Sequence, residues 1–514
     1  MPRASPCALR GGALNGVALG RRGGAARLWR GRGFARVARR RGPGSGARGC
    51  EVVAARLVVL GGSGAGTPAL VEALVQRLGA LPRPPALELM LHGRDAEKLA
   101  LVEAAARARA AGQDWLRIGA SSRRQEALEG ATLVLNQVRV GGLRARSFDE
   151  SFPRALGLPG EETLGPGGFA NACRTLPVAL ELLGDVARFA PEATTINLTN
   201  PAAMVQQAAE RYLGLRVISV CDSPLSLIRA LRQVAEAPAG VAEYLGMNHC
   251  GWVVSLRRDG EERLPALLER VEEIPGLGIE PRLVRELGAV PGPYLRYYYH
   301  PDRMLAAQQG KPTRAEALLA LEAELLASYR ARPAEPASVL GRRGAVWYDL
   351  AVTPAIEALL HAWGEEWRHA PEPPSGSADV SGPPRGLPRG VPVPPAPLAA
   401  AGARPTPLAQ TPRRLIANVR NGDLLPYLPA EAVVELTVEV GRAGVRPLTP
   451  PTLPVEARGL LAAHAAYECL AVQGIVERSE PLLRRALLAN PMIRSWDQAA
   501  AVLEAVRAAP PAAG

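Results

Sequence analysis

The chain has 514 residues and a formal net charge of +12, but that charge is confined to its N-terminus. Residues 1–50 hold 12 of the 61 basic residues, all of them arginines, and no acidic residue, so 49 basic residues remain against 49 acidic ones. A neutral body argues against nucleic-acid binding by the folded part of the chain. The six cysteines lack paired spacing and no run of roughly eighteen apolar residues occurs, so we expect neither a disulfide framework nor a membrane span.

Two segments are predicted to lie outside the folded body. Residues 1–54 form a basic, glycine-rich tail. This tail has three interpretations: a nucleic-acid arm, a targeting peptide, or sequence translated from a wrongly chosen start. Residues from about 371 to 413 are rich in proline, with 13 prolines in residues 371–412, which predicts a disordered insertion.

The first elements in chain order are a strand, a glycine turn and a helix, in "ARLVVLGGSGAGTPALVEALVQRL". Four glycines between residues 61 and 66 let the backbone approach a phosphate, and the helix N-terminus attracts negative charge. Thr67 is the predicted N-cap, with Pro68 at the first helical position. The glycine spacing departs from the usual dinucleotide motif, so a tight turn without a ligand is the alternative.

A second strand is predicted in "ALELMLHGRD", where Leu87, Leu89 and Leu91 alternate. A site that prefers NAD usually carries an acid at the end of this strand, bonded to the ribose hydroxyls. Gly93 and Arg94 stand there instead. The sequence therefore leaves NADP, whose extra phosphate an arginine can bind, as an alternative to NAD.

Three further predicted strands each end in polar residues. Arg139 follows "ATLVLNQV", Asn200 follows "TTINLT", and Cys221 and Asp222 follow "RVISV". Ligands of open parallel sheets bind beyond the carboxyl ends of the strands, so these side chains are expected to share one crevice.

Cys221 and His249 are the candidate metal ligands. Pro224 indicates a helix beginning just after Cys221, and the dipole of that helix predicts a lowered thiol pKa. Thiolate and imidazole both bind borderline metals, and two protein ligands leave positions open for substrate. The alternative is a buried structural cysteine and a hydrogen-bonded histidine.

Four tyrosines lie within "YLRYYY", beginning at Tyr294, and Arg314 follows in "KPTRAEAL". A packed aromatic start of a helix is the alternative to a functional role for these residues.

Together these motifs resemble glycoside hydrolase family 4, the NAD- and metal-dependent glycosidases. The resemblance runs from about Ala55 to Arg507, apart from the proline-rich insertion. It is carried by "GGSGAGTPALVEAL", "NQVRVGGLRAR", "GEETLGPGGFANACRTLPVALEL", "INLTNPAAMV", "VCDSP", "GMNH", "YLRYYY" and "NPMIRSWDQA". It implies an α/β fold, with a Rossmann-type doubly wound sheet in residues 55–222 and an α+β domain in residues 223–510, as in lactate and malate dehydrogenases.

The resemblance assigns roles to individual residues. Cys221 and His249 match the ligands of a divalent metal, typically manganese, and Tyr294 matches the catalytic base. Arg314 matches the arginine that holds the sugar 6-phosphate. The dinucleotide-binding residues are then Gly61, Gly62, Ser63, Gly64, Ala65, Gly66, Thr67 and Arg94. The other substrate-binding residues are Arg139, Glu162, Asn200 and Asp222.

The mechanism that the resemblance implies is an exception among glycosidases. The sugar is oxidised at C3 with NAD as hydride acceptor, and the metal makes the C2 proton acidic. Tyr294 removes that proton, the glycosidic oxygen leaves, water adds, and the hydride returns, so the cofactor is not consumed.

The substrate is predicted to be a 6-phospho-β-glucoside such as cellobiose 6-phosphate, which would release glucose 6-phosphate. "NQVRVGGLRAR" and "GPGGF" resemble the β-type members, whereas Asp222 is typical of the phospho-α-glucosidases. A 6-phospho-α-glucosidase or another glycosidase of the family is therefore the first alternative. Glu161 and Leu164 also depart from the family, which usually has glutamine and threonine or cysteine there.

Three other classes of protein fit the sequence less well than a glycosidase. A dehydrogenase of the lactate or malate type needs a histidine–aspartate pair, and we find no convincing one. A nucleic-acid-binding protein would depend on the tail alone. A non-catalytic sugar-phosphate sensor would not need the complete set of Cys221, His249, Tyr294 and Arg314. We expect a reduced, cytoplasmic homodimer or homotetramer that binds a phosphorylated glycoside and neither nucleic acid nor membrane.

Overall fold

The computed structural model describes residues 55–333, 341–342, 344–363, 413–441 and 444–509. The predicted N-terminal tail lies outside the described residues. The predicted proline-rich insertion does too, except for Arg413, which begins a strand. The four cysteines within the described ranges are free, and none forms a disulfide there.

The described strands form one mixed sheet of thirteen strands. Their bounds are β1 Ala55–Leu60, β2 Leu87–His92, β3 Leu116–Ser121, β4 Leu133–Asn136, β5 Thr194–Asn197, β6 Val217–Ser219, β7 Val241–Met247, β8 Cys250–Arg258, β9 Glu261–Glu262, β10 Val290–Pro291, β11 Arg413–Arg420, β12 Val433–Gly441 and β13 Gly444–Pro447.

Helices cover both faces of this sheet. Their bounds are α1 Thr67–Leu78, α2 Ala96–Arg109, α3 Arg124–Leu128, α4 Gly142–Ala155, α5 Pro166–Phe189, α6 Ala202–Leu213, α7 Ser223–Val234, α8 Leu264–Leu268, α9 Pro281–Leu287, α10 Arg296–Tyr299, α11 Pro301–Gln308, α12 Arg314–Ala331, α13 Thr353–Trp363, α14 Val455–Val476, α15 Glu480–Ala489 and α16 Trp496–Arg507. Short 3-10 turns occur at Val271–Glu273 and Pro293–Leu295, and a π-helical turn at Tyr348–Val352.

The parallel half of the sheet has the strand order β3-β2-β1-β4-β5-β6. This is the order of the Rossmann fold, so the predicted fold class is confirmed. Beyond β6 the sheet continues with antiparallel pairings through β11, β12, β7, β8 and β10. The predicted division into residues 55–222 and 223–510 stays a prediction, since hydrogen-bonded strands cross from one part to the other.

The central strand β1 is buried on both faces, as parallel strands usually are. Leu57 and Val59 pack into the cluster that contains Leu70 and Leu74 of α1. Val58 and Leu60, on the opposite face, pack into the cluster that contains Phe169 and Leu176 of α5. The alternation of side chains along β1 thus supports helices on both sides of the sheet.

The helix α14 is long and apolar enough to cross a bilayer by length and composition, with a mean hydropathy of 1.3 over its most apolar stretch. In this structure 61% of that stretch is buried inside the protein. The helix packs against α5, α6 and α15. This packing accounts for its apolar composition, as in a core helix.

Buried amide side chains join the carboxyl ends of three parallel strands. Asn136 Nδ2 at the end of β4 donates to Asn197 Oδ1 at 2.9 Å, and Asn197 Nδ2 donates to Ser219 Oγ of β6 at 3.0 Å. Asn197 and Ser219 are fully buried and Asn136 is 1% exposed. These bonds hold together the strand ends that carry the predicted site.

We expect Asn197→Ala to destabilise the fold, because it leaves the buried polar groups of Asn136 and Ser219 without their partner. Each buried group that loses its hydrogen bond costs about 1–3 kcal/mol of unfolding free energy. Urea unfolding monitored by circular dichroism should show a lower midpoint. Ser122→Ala, at an exposed position, should leave the midpoint unchanged. Equal midpoints for the two variants would contradict the structural role of Asn197.

Candidate active site

The glycine turn between β1 and α1 packs closely against the end of β2. Gly61 has φ +82°, in the left-handed region that favours glycine. A Cβ on Gly62 would lie 2.8 Å from the backbone nitrogen of His92, so a larger residue does not fit there. The structure therefore confirms the predicted strand, turn and helix, and it leaves the N-terminus of α1 facing the crevice.

Thr67 does not cap this helix, so that prediction was wrong. Gly66 occupies the N-cap position and Thr67 is the first helical residue, with no side-chain capping bond. The Thr67 hydroxyl instead accepts a hydrogen bond from Gln137 Nε2 at 3.0 Å. The threonine is fully buried, and its contact with the segment after β4 replaces the capping interaction.

Glu162 lies between two arginines. Arg139 Nη1 is 2.6 Å from Glu162 Oε2, and Arg146 Nη1 is 2.8 Å from Glu162 Oε1. Burial alone would raise the pKa of Glu162, but the two guanidinium groups outweigh it and hold the pKa below its usual value. The sequence predicted Arg139 and Glu162 but missed Arg146, which lies on α4.

Asn171 on α5 links this carboxylate to the end of β5. Its Nδ2 donates to the carbonyl oxygen of Glu162 at 3.2 Å and to that of Asn200 at 3.3 Å. The predicted residue Asn200 is thereby placed beside the Glu162 loop.

Cys221 follows β6 at the start of α7, as predicted from Pro224. Its Sγ accepts a hydrogen bond from the backbone N–H of Ser223 at 3.4 Å. The predicted lowering of its pKa is wrong: burial, followed by the charges of Glu435 and Asp222, raises the pKa of Cys221 well above its usual value. The backbone N–H of Ser223 and the side chain of Asn248 favour the thiolate, but they are too weak to offset burial beside two carboxylates.

Asp222 occupies the N-cap position of α7 without making a side-chain capping bond. Burial raises the pKa of this carboxyl group, and Arg229 partly offsets the shift. The predicted substrate-binding residue therefore directly adjoins Cys221.

His249 occupies the turn between β7 and β8, with φ +65°. Its ring stacks on Tyr294, with centroids 3.9 Å apart and planes inclined by 2°. Burial lowers the pKa of His249 to about 4, so the ring is neutral at pH 7. A neutral imidazole is the form that binds a metal.

Thr163 determines which ring nitrogen of His249 carries the proton. Its hydroxyl donates to Glu161 Oε2 at 2.7 Å and lies 2.8 Å from His249 Nδ1. Because the hydroxyl has one proton, it accepts from Nδ1–H. This assigns the proton to Nδ1 and leaves a lone pair on Nε2.

Glu161 fixes the direction of that hydroxyl. Its two carboxylate oxygens also accept the backbone N–H groups of Thr163, Leu164 and Gly165, at 2.8, 2.5 and 2.6 Å. The glutamine that the family usually has here would offer one oxygen and an NH₂ group, so this pattern of accepted bonds is specific to the glutamate of this chain. The contribution of Glu161 and Thr163 was missed from the sequence.

Tyr294 lies in the 3-10 turn Pro293–Leu295, facing the same group of charges. Burial, then the negative charge of Glu162, raises its pKa above the usual phenol value, and Arg146 opposes the shift. A phenol in this position becomes a base only beside additional positive charge.

Arg314 is the first residue of α12 and is exposed. Its side chain makes no hydrogen bond or ion pair with the described residues, so the structure does not join it directly to the other predicted residues. The helix start itself is connected to them: Ala315 N donates to Glu150 Oε2 at 2.9 Å, and Glu150 Oε1 accepts from Arg146 Nε at 2.6 Å. Arg314 thus lies at the outer end of a series of hydrogen bonds and ion pairs that leads through Glu150 and Arg146 to Glu162.

The site offers a metal two donor atoms, the sulfur of Cys221 and Nε2 of His249. Across the described ranges, no group of three or more His, Cys, Asp or Glu residues is arranged to hold a metal ion. Asn248 Nδ2, in the same turn as His249, is buried and lacks a hydrogen bond of regular geometry. The donors therefore fit a borderline divalent metal that takes its remaining ligands from substrate.

Comparison with known proteins gives the same assignment over both halves of the chain. Residues 56–237 match the model of the family 4 glycosyl hydrolases, and residues 244–493 match that of the C-terminal domain of this family.

Individual relatives span most of the chain. A probable 6-phospho-β-glucosidase of Bacillus subtilis is 27% identical over 87% of this chain and 95% of its own length. A maltose-6'-phosphate glucosidase of the same organism is 25% identical over 87% of this chain and 94% of its own length.

A solved structure shows the same fold. The 6-phospho-β-glucosidase of Thermotoga maritima, solved with manganese, NAD⁺ and glucose 6-phosphate, has a TM-score of 0.71 and 24% identity. The match covers 88% of this chain and 97% of that one. With both family models matched, the chain belongs to the family 4 glycosyl hydrolases and is a glycosidase.

Proposed function

We propose that this glycosidase hydrolyses 6-phospho-β-glucosides, such as cellobiose 6-phosphate, with the help of NAD or its phosphorylated form and a divalent metal, typically manganese. The observation that supports metal- and base-dependent chemistry is the stack of His249 on Tyr294, beside Cys221 and Glu162. The β preference is proposed because "NQVRVGGLRAR" and "GPGGF" resemble the β-type members. When bound, the dinucleotide supplies a hydride acceptor for C3 of the sugar, and the metal polarises the oxygens at C2 and C3.

Cys221 and His249 are the proposed metal ligands. The Thr163 contact keeps Nε2 of His249 free for this purpose, and the low pKa of the ring keeps it neutral. Cys221 must lose its proton to bind metal, which its buried position opposes in the protein alone. Metal binding should therefore release a proton from this thiol.

Tyr294 is the proposed base that removes the C2 proton. Its raised pKa keeps the phenol protonated when only the protein surrounds it. A divalent cation held by Cys221 and His249 would add positive charge to this site, which favours the phenolate. Arg146 acts in the same direction.

Arg139 and Glu162 are proposed to position the sugar. Glu162 is 8% exposed while Arg139 is 40% exposed, so the pair presents a guanidinium toward the crevice and a carboxylate beneath it. Such a pair offers both donors and acceptors to sugar hydroxyls. Asn200 and Asp222 at the neighbouring strand ends would complete this surface.

A 6-phospho-α-glucosidase is the second candidate function. Asp222 supports it, since the family's α-type members share this residue, and one relative acts by its name on maltose 6'-phosphate. The two 4-nitrophenyl 6-phosphoglucosides, α and β, assayed with NAD and manganese, separate the candidates. The predicted cytoplasmic location and the homodimer or homotetramer stay predictions.

The metal ligands are tested by binding rather than by activity alone. Cys221→Ser and Thr163→Val should each weaken Mn²⁺ binding about tenfold to a hundredfold, because one loses a ligand and the other its orienting partner. Thr163→Ser should restore the affinity. Free Mn²⁺ is measured by electron paramagnetic resonance, with circular dichroism as the check on folding. Unchanged affinity in Cys221→Ser would refute this metal site, as would full turnover in excess EDTA.

The base is tested in heavy water. The wild-type enzyme should incorporate deuterium at C2 of the released sugar phosphate, because removal and return of that proton belong to the mechanism. Tyr294→Phe should lower turnover on all glycosides by about 10²–10⁴-fold and suppress the exchange. Tyr298→Phe serves as the matched control and should retain both. A wild-type product without deuterium at C2, measured by NMR, would overturn the elimination mechanism.

The phosphate contact is tested by paired substrates. Arg314→Ala should reduce kcat/KM for 6-phosphoglucosides about tenfold to a hundredfold, since it removes a charge-assisted bidentate contact. Non-phosphorylated glucosides should be affected less than about twofold. Arg282→Ala, at another exposed arginine, is the control for general charge effects. A similar loss on both substrate types would rule out a phosphate-specific role for Arg314.

A further inference from the structure

The end of β2 leaves no room for the carboxylate that an NAD-specific site carries there. A Cβ built on Gly93 would lie 2.6 Å from both Cβ and Oγ of Ser63 and 3.3 Å from its backbone nitrogen. Contacts below about 3 Å are repulsive, so a side chain at position 93 requires Ser63 to move. An aspartate in this position therefore conflicts with the glycine turn as it stands.

The turn is also held against β2, so Ser63 has little freedom to withdraw. Gly62 N donates to the carbonyl oxygen of His92 at 2.7 Å. A Cβ on Gly62 would already collide with the backbone of His92 and Leu91. The close packing of turn and strand thus excludes an acid at position 93 for a local, steric reason.

The next acid along the chain does not substitute for it. Asp95 caps α2, where its Oδ1 accepts a hydrogen bond from Lys98 N at 2.9 Å. Glu97, two residues further, pairs with Arg330. Both carboxylates therefore already have a partner on the helix side of this turn.

Positive charge is present where the acid is missing. Arg94 follows Gly93 directly, is exposed, and makes no ion pair or hydrogen bond with any described residue. The end of β3 lies beside the end of β2, because His92 Nδ1 is hydrogen-bonded to the carbonyl oxygen of Ser121 at 2.9 Å. Ser122 and Arg123 follow there, and both are exposed. A phosphate dianion bound at this edge would lie beside the guanidinium of Arg94, whereas Arg123 is already paired with Glu126.

We propose that the dinucleotide site prefers NADP(H) over NAD(H), with the guanidinium of Arg94 bound to the 2'-phosphate of the adenosine ribose. The inference rests on the proposed function, because it assumes that a dinucleotide lies on the turn of residues 61–67. It adds the identity of that dinucleotide and the residue that selects it. Arginine near the end of the second strand serves this purpose in NADP-binding Rossmann folds.

Direct binding tests the proposal without substrate or turnover. Isothermal titration of the full-length protein with NADP⁺ and with NAD⁺ should show NADP⁺ bound at least about tenfold more tightly, as expected for a charge-assisted phosphate contact. Arg94→Ala should abolish the difference by weakening NADP⁺ alone. Arg83→Ala, at another exposed arginine, should leave both affinities unchanged.

A second pair of variants tests the steric part of the inference. Gly93→Asp alone should weaken both dinucleotides, because the new side chain collides with Ser63. Ser63→Gly combined with Gly93→Asp should restore NAD⁺ binding and repel NADP⁺, which reverses the preference. Thermal melting of each variant establishes that it is folded. If a variant at position 93 does not fold, the Arg94 measurements alone decide.

The outcomes separate this inference from the proposed function. NAD⁺ bound as tightly as NADP⁺, or equal losses of both in Arg94→Ala, would overturn the preference while leaving a dinucleotide-dependent glycosidase intact. Binding of neither dinucleotide would overturn both. NADP⁺ preference that disappears in Arg94→Ala supports the inference.

Discussion

The structure of the site depends on one buried carboxylate, Glu162, kept ionised between Arg139 and Arg146. The backbone carbonyl of the same residue is linked through Asn171 to the end of β5, and burial together with the charge of its side chain raises the pKa of Tyr294. Burying Glu162 with Arg146 is costly, and removing one member of a buried pair typically costs about 3–5 kcal/mol because the remaining charge loses its compensation. The side chains that set the geometry of the site therefore also contribute to the stability of the fold.

The charges continue outward from this carboxylate in alternating sign. Arg146 also pairs with Glu150, whose second oxygen accepts the backbone N–H of Ala315 at the start of α12. The helix that carries Arg314 is consequently attached to the charges of the proposed sugar site by a buried ionic connection rather than by apolar packing alone. An anion bound at the start of α12 would therefore influence the ion pairs among Glu150, Arg146 and Glu162.

Sequence reasoning predicted the parts of the site that follow from regular chain geometry. The ends of β4, β5 and β6 could be located because short apolar runs stop at polar residues, and the parallel order brings those ends together. It failed where burial or distant chain segments decide: the pKa of Cys221 depends on Glu435 of β12, which lies beyond the proline-rich insertion. The hydrogen bonds among Glu161, Thr163 and His249 depend on how a loop folds back on a hairpin turn, which no periodicity reveals.

The unbroken sheet has a mechanical consequence. The proposed cofactor turn follows β1 and the proposed metal ligand His249 follows β7, and both strands belong to one hydrogen-bonded sheet. Opening a cleft between these two regions would require breaking backbone hydrogen bonds between neighbouring strands. We therefore expect substrate to enter and leave beyond the strand ends rather than through a gap opened within the sheet. The site would then open by local movement around the strand ends rather than by separation of two domains about a hinge.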